Sequence, residues 1–261
     1  MLYKIGEISN LLGISSESIR YYERKAGVRS KNVDDESGYR YYTALDLYAL
    51  MRIRMYRNCG FSVQEAAEML NEYSFEELAD KVAGKEEDIR AATAKMAETY
   101  RRVEGMTGKC RVEDSPAMYR FPFVTRGELT GDKAALRQVK KWMDKMPVVA
   151  VTPFFAREDI LLGSENFGIG MCVMEEDADY VGVREAGVEL EYRPSVPSVY
   201  TVIEADRGRQ LHCSMLSHVL EYMEQNGMRL SGDAIGKTVT TIHHSTTHRR
   251  AHEVWLPYEK V

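Results

Sequence analysis

Apolar residues over the first seventy positions recur every three or four, and the pattern is broken where the chain favours turns. Ile5, Ile8, Leu11 and Leu12 keep helical spacing, Gly13 suits the positive φ that closes a helix, and Ser15 or Ser16 can cap the next one. On that second helix Ile19 and Tyr22 share one side, while Ser16, Arg20 and Arg24 share another. Two short helices about a tight turn form a helix-turn-helix pattern; the alternative is a solvated helix on which Arg20 and Arg24 pair with Glu17 and Glu23. The turn-forming run VDDESG precedes GYRYY, whose alternating aromatic and basic residues predict a short β-hairpin, or wing. Thr43 is an N-cap for a helix carrying Leu47, Leu50, Ile53 and Arg54, and Ser62 caps another carrying Ala66, Met69 and Leu70.

A different period follows. Leu78, Val82, Lys85, Ile89, Ala92, Met96, Thr99, Val103 and Met106 alternate by fours and threes, the seam of a coiled coil, weakened near Gly84 and Lys85. A helix of about thirty residues extends roughly 45 Å, too far for a small domain to cover, so its stripe needs a partner. A second copy of the same helix is the simplest partner, and packing along the chain's own C-terminal part is the alternative. Gly105, Gly108, Asp114, Ser115 and Pro116 end this element.

Beyond lie strand patterns in MYRFPFVTRG, VVAVTPFF, FGIGMCVM, VPSVYTVIEA, TVTTIHH and HEVWLPY. Lys133 to Met143 reads as an amphipathic helix with Leu136, Val139 and Met143 inward, and 211–223 as a second with Leu216, Val219, Leu220 and Met223 inward. The expected architecture is multidomain α+β: a winged helix-turn-helix over 1–73, a coiled-coil helix over 74–109, and over 116–261 two strand-helix-strand-strand units with sheets joined side by side.

Charge divides the 261 residues the same way. Residues 1–60 hold ten Lys and Arg against seven Asp and Glu, net +3; with the whole chain at −5, the other 201 carry −8. Attraction to DNA is therefore confined to the head. There is no signal-peptide core and no run of membrane-spanning length, and the cysteines lack CxxC spacing, so the expected setting is the cytoplasm, without a membrane partner.

The motifs YKIGEIS, GIS, IRYYE, SGYRYYT and GFSVQEA resemble, in order and separation, the DNA-binding domain of the MerR family. One departure is that Gly27 and Val28 lead into Arg29, Ser30 and Lys31, where the family usually has a proline. The resemblance implies a homodimer joined by an antiparallel coil on a pseudopalindromic double-stranded promoter. It also implies that effector binding distorts the DNA so that RNA polymerase can use it, the polymerase being an indirect partner. Its candidate DNA-binding residues are Ser15, Ser16, Arg20, Tyr21, Arg24, Tyr39 and Arg40. More loosely, the layout of 116–261 and the closing EVWLPY resemble the gyrase-inhibitor-like effector domain of BmrR-type multidrug regulators.

Such a domain holds a small-molecule effector in a cleft between its units. For a lipophilic cation, aromatic faces and a desolvated acid select positive charge over neutral compounds. Glu253 is the first candidate, because an acid among Ala251, Val254 and Leu256 is out of place in a strand, unless it faces solvent opposite Arg249 or Arg250. Trp255, Tyr192, Tyr200, Trp142 and Phe154 (or Phe155) are the aromatic candidates. Among rival chemistries, Cys59, Cys172 and Cys213 read as small buried residues. Cys110 stands where metal-sensing relatives place a ligand, but without a second cysteine nearby. His243, His244, His248 and His252 crowd one hairpin, as a polar turn or as a metal site. No cofactor or metal is expected. Hydrolysis of small electrophiles by Glu253 with Tyr192 or Trp142 is the enzymatic alternative, and a non-catalytic binding module is the expectation.

Overall fold

The computed structural model describes residues 2–26, 32–33, 40–126, 128–206, 211–243 and 248–261. It divides into two compact units, 1–91 and 92–261.

The first unit comprises β1 (Tyr3–Lys4), α1 (Ile5–Leu12), α2 (Ser16–Ala26), β2 (Asn32–Val33), β3 (Arg40–Tyr42), α3 (Ala44–Asn58), α4 (Val63–Asn71) and the start of α5 (Phe75–Val103). The three strands form a small antiparallel sheet in the order β1-β3-β2. Ile8, Leu12, Ile19, Tyr42, Leu50, Ile53, Tyr56, Phe61 and Met69 make its core. Leu11, which keeps the same helical spacing, is 68% exposed, because Ile8 and Leu12 already fill the inward arc of α1. Local chemistry sets the boundaries. Gly13, at φ 60°, closes α1. Thr43 with Asp46 and Ser62 with Glu65 form reciprocal caps, and Ser74 with Glu77 repeats the device at α5.

The second unit begins with the end of α5. It continues through β4 (Cys110–Asp114), β5 (Met118–Thr125), β6 (Glu128–Leu129), α6 (Lys133–Met143), β7 (Val149–Phe155), α7 (Arg157–Leu162), β8 (Gly168–Met174), α8 (Ala178–Val181), β9 (Glu191–Arg193), β10 (Pro197–Asp206), α9 (Ser217–Gln225), β11 (Met228–Leu230), β12 (Ala234–His243) and β13 (His248–Lys260). The strands form one sheet, β4-β10-β13-β12-β7-β8-β5-β6, with β9 beside β5 and β11 beside β13. Two strand-helix-strand-strand units, β5-α6-β7-β8 and β10-α9-β12-β13, meet where Ala234 and Ile235 pair with Phe155 and Phe154. Val149 packs with Trp142 of α6 and Phe155 with Val219 of α9, so even spacing along β7 puts both helices on one face of the sheet.

Two expectations about helix faces are corrected. On α6 the buried residues are Ala135, Gln138 and Trp142, while Leu136 and Met143 are 39% and 51% exposed. The indole of Trp142, edge-on to Phe121 at 5.1 Å, sets the rotation of the helix. The coil pattern, extended to Met106 and 109 from sequence, ends as helix at Val103, with Gly105 and Gly108 at positive φ. Val103 and Met106 pack instead on Tyr200, Val202 and Trp255 of the same chain. Val82, Ile89 and Met96 remain 38–45% exposed, and Lys85 lies over the Phe61 ring at 5.3 Å. No helix among the described residues is long and apolar enough to cross a membrane.

Candidate functional site

In the first unit α2 presents its chemistry as the sequence pattern requires. Ser15 Oγ accepts from the Ser18 N–H at 3.0 Å and so caps the helix. Ser16 is half-buried, Arg20 and Arg24 are exposed, and Tyr21 is 41% exposed with the Arg24 guanidinium 5.9 Å from its ring. Ile19 is fully buried, which fixes the outward direction of Arg20. Tyr39, the turn before it and the loop from Gly27 lie outside the described residues; Arg40 is described only in its backbone, which pairs with Val33.

In the second unit, strand alternation separates the two faces of the sheet. Val254 and Leu256 belong to the core with Val219, so Glu253 and Trp255 face the other side of the sheet, away from α6 and α9 and toward the end of α5. Register brings Tyr200 and Ile235 beside Trp255, and Lys237 and Val202 beside Glu253. Glu253 is fully buried, so the reading that set it opposite Arg249 or Arg250 in solvent does not hold. Its Oε1 accepts from the Tyr200 hydroxyl at 2.9 Å and from Arg102 Nη2 at 2.6 Å, while its Oε2 has no partner. Burial drives the Glu253 pKa above the usual carboxylate value, against the pull of Arg102 and Lys237. The same burial, with the carboxylate beside it, raises the Tyr200 hydroxyl.

Arg102, from the last turn of α5, sits 5.7 Å from the Trp255 ring and 6.0 Å from the Tyr200 ring. Arg111 lies 4.3 Å from Tyr200, and Glu113 joins the group by accepting from Arg111 Nε at 2.7 Å and Trp255 Nε1 at 2.8 Å. Lys237 donates to Thr99 Oγ1 at 3.4 Å, and burial lowers its pKa. The result is an acid between two aromatic rings, already holding a flat cation from the chain itself.

The other aromatic candidates are not in this cluster. Trp142 is core, since α6 turns it into the helix-covered face. Tyr192 is 44% exposed on β9, where its ring lies tilted against Tyr119 at 5.0 Å and its hydroxyl donates to Glu175 at 2.9 Å. Phe155 is buried in the core. Phe154 faces the same side of the sheet as Trp255 and shares with it the wall of a cavity of about 440 Å³. Arg102, Arg111, Glu113 and Lys237 escaped the sequence reading. Only their placement across the sheet gives them a role, and no local motif announces it.

Cys59, expected to be buried, is exposed, because it occupies the C-cap position of α3 after the last inward residue, Tyr56. Cys172 and Cys213 are buried with thiols pushed up to about 11, chiefly by desolvation. Cys110 is half-buried, and burial raises its pKa as well. His252 is 3% exposed, its Nδ1 3.1 Å from Thr238 Oγ1; burial, then Arg250, lowers its pKa to about 4. The side chains of His243, His244 and His248 lie outside the described residues. Among the described residues no three His, Cys, Asp or Glu side chains come together as a metal site.

A helix-turn-helix with a three-stranded sheet, a basic outward helix face and a long following helix defines a DNA-binding regulator. Residues 3–73 match the model of the MerR helix-turn-helix family of regulatory proteins. The chain is 36% identical over 117 residues to the heavy metal-dependent transcription regulator 2 of Rhizobium meliloti, covering 79% of that protein and 43% of this one. It is 28% identical over 115 residues to the transcriptional regulator ZntR of Escherichia coli K12, covering 81% of that protein and 42% of this one. A cryo-EM structure of an EcmrR–DNA complex aligns over 99% of this chain and 100% of that one, at 17% identity and a TM-score of 0.40. The chain belongs to the MerR family of DNA-binding transcriptional regulators.

Proposed function

We propose that this regulator answers a small, flat, lipophilic cation bound between Tyr200, Trp255 and Glu253, and that it works as a homodimer on a pseudopalindromic promoter in the cytoplasm. The observation that carries the reading is the Arg102 guanidinium seated on a fully buried carboxylate, 2.6 Å from it and within cation–π distance of both rings. A pocket that selects a guanidinium selects flat organic cations by the same chemistry. An effector there competes with Arg102 and so acts on α5, which also starts in the DNA-binding unit. That exchange couples effector to DNA distortion, and the distorted promoter then serves RNA polymerase. The half-exposed stripe of Val82, Ile89 and Met96 supports pairing with a second α5. We read the domain as binding rather than hydrolytic, because Glu253 is committed to Arg102 and Tyr200. The experiment is footprinting on a selected operator with and without benzamidine, a planar aromatic cation. Changed reactivity at the operator centre supports the coupling, and identical footprints with ligand bound reject it.

A further inference from the structure

The side of the sheet that carries Glu253 holds a second charged cluster, at the junction of the two strand-helix-strand-strand units. Arg120 of β5 is 2% exposed, an unusual burial for a guanidinium, and lies 4.2 Å from the centroid of the Phe154 ring. Arg193 of β9 lies 5.5 Å from the same ring. Two cavities, of about 470 and 440 Å³, share Phe154 and Arg193 in their walls, and each has the size of a small-molecule site.

The balance of donors and acceptors gives the ligand class. Glu191 alone serves both guanidiniums, one oxygen on Arg120 at 3.1 Å and the other on Arg193, while Asp233 adds a 3.3 Å contact to Arg193. The Nε atoms of Arg120 and Arg193 are buried and without a partner. Asp159, the other acid in the larger cavity, is occupied by Ser164 and Asn166. The unpartnered Nε atoms leave the cleft with donors to spare for an acceptor. Pro122, Val124 and Phe167 add an apolar wall. We infer that the Arg120–Phe154–Arg193 cleft is a second ligand site, one that takes a small planar organic anion of the aromatic carboxylate class. Glu191, whose side chain is 41% exposed, holds the place that the ligand carboxylate takes.

Benzoate and benzamidine share a ring and differ in the charge of a planar head group, so the pair separates this site from the one at Glu253. Calorimetry on the full chain should show benzoate binding that weakens about tenfold in Arg193→Lys, which keeps charge but loses the fork. Glu191→Gln, which removes the internal competitor, should bind benzoate more tightly; a merely structural Glu191 predicts weaker binding or none. If Glu191→Gln does not fold, Phe154→Ala replaces it, and benzoate binding should then fall while Arg120 stays paired with Glu191. Glu253→Gln should abolish benzamidine binding and leave benzoate unchanged, so either site can fail without the other. The inference is overturned if benzoate does not bind, if its affinity is the same in Arg193→Lys, or if benzamidine rather than benzoate is lost in that variant.

Discussion

Replacing Arg102 by methionine removes the guanidinium but keeps an apolar stem against Tyr200 and Trp255. The partner carboxylate, fully buried in the wild type, is left with one hydrogen bond, from Tyr200. Two unit charges about 4 Å apart interact by about 4 kcal/mol at an effective dielectric of 20, and because the Arg102 side chain is 35% exposed and partly screened, its loss should cost less than the about 3–5 kcal/mol typical of breaking a fully buried pair. The carboxyl can limit that loss by taking a proton, since burial already raises its pKa. Protonation relieves the buried Glu253, so the cost of Arg102→Met is small at low pH, grows by up to about 1.4 kcal/mol per unit as pH rises from the raised pKa of the wild type to the still higher one of the variant, and is constant above that. Denaturant unfolding of wild type, Arg102→Met, Glu253→Gln and the double variant at several pH values measures the pair as a cycle. We expect the double variant to recover most of the loss seen in Arg102→Met at pH 8. A cost below about 1 kcal/mol that is the same at pH 5 and pH 8 would refute the claim that Arg102 neutralises Glu253.

Two further outcomes follow from other residues. His252 has a folded pKa near 4 against 6.5, chiefly from burial, so its contribution is present above pH 6.5 and is lost as pH falls toward 4; that is about 3 kcal/mol, and His252→Gln should flatten the unfolding free energy across this window. Arg20→Ala, on the outward face of α2, should weaken DNA binding and lower the slope of log affinity against log salt by about 0.9 if one phosphate contact is lost, as measured by fluorescence anisotropy; an unchanged slope returns Arg20 to a solvated helix face.

Much of this architecture was legible because it rests on local rules. Thr43 and Ser62 cap the helices they were expected to cap, and the two strand-helix-strand-strand units follow from alternating apolar runs about helices. Where local pattern admits two answers, tertiary packing decides. The stretch Lys133–Met143 has apolar residues on more than one side, and only the fit of Trp142 against Phe121 selects its face. Glu253 stood out as an acid in an apolar strand, but its partner did not. Arg102 looks like any exposed helix residue until the topology carries the end of α5 over β10 and β13. The same holds for Lys237, whose neighbours Glu253 and Thr99 come from other elements. Aromatic residues were legible as candidates, yet Trp142 and Tyr192 have the same composition signal as Trp255 and Tyr200 and a different place in the sheet.

The proposed coupling of effector to α5 requires that Arg102 occupy the effector's place. The direct measurement is the affinity of benzamidine for wild type and for Arg102→Met, by calorimetry at neutral pH. With the internal cation removed, Glu253 and the two rings are free for the ligand, and binding should tighten by about tenfold or more. Equal or weaker binding in Arg102→Met would mean that Arg102 does not compete for the pocket, and the link from effector to α5 would fail with it.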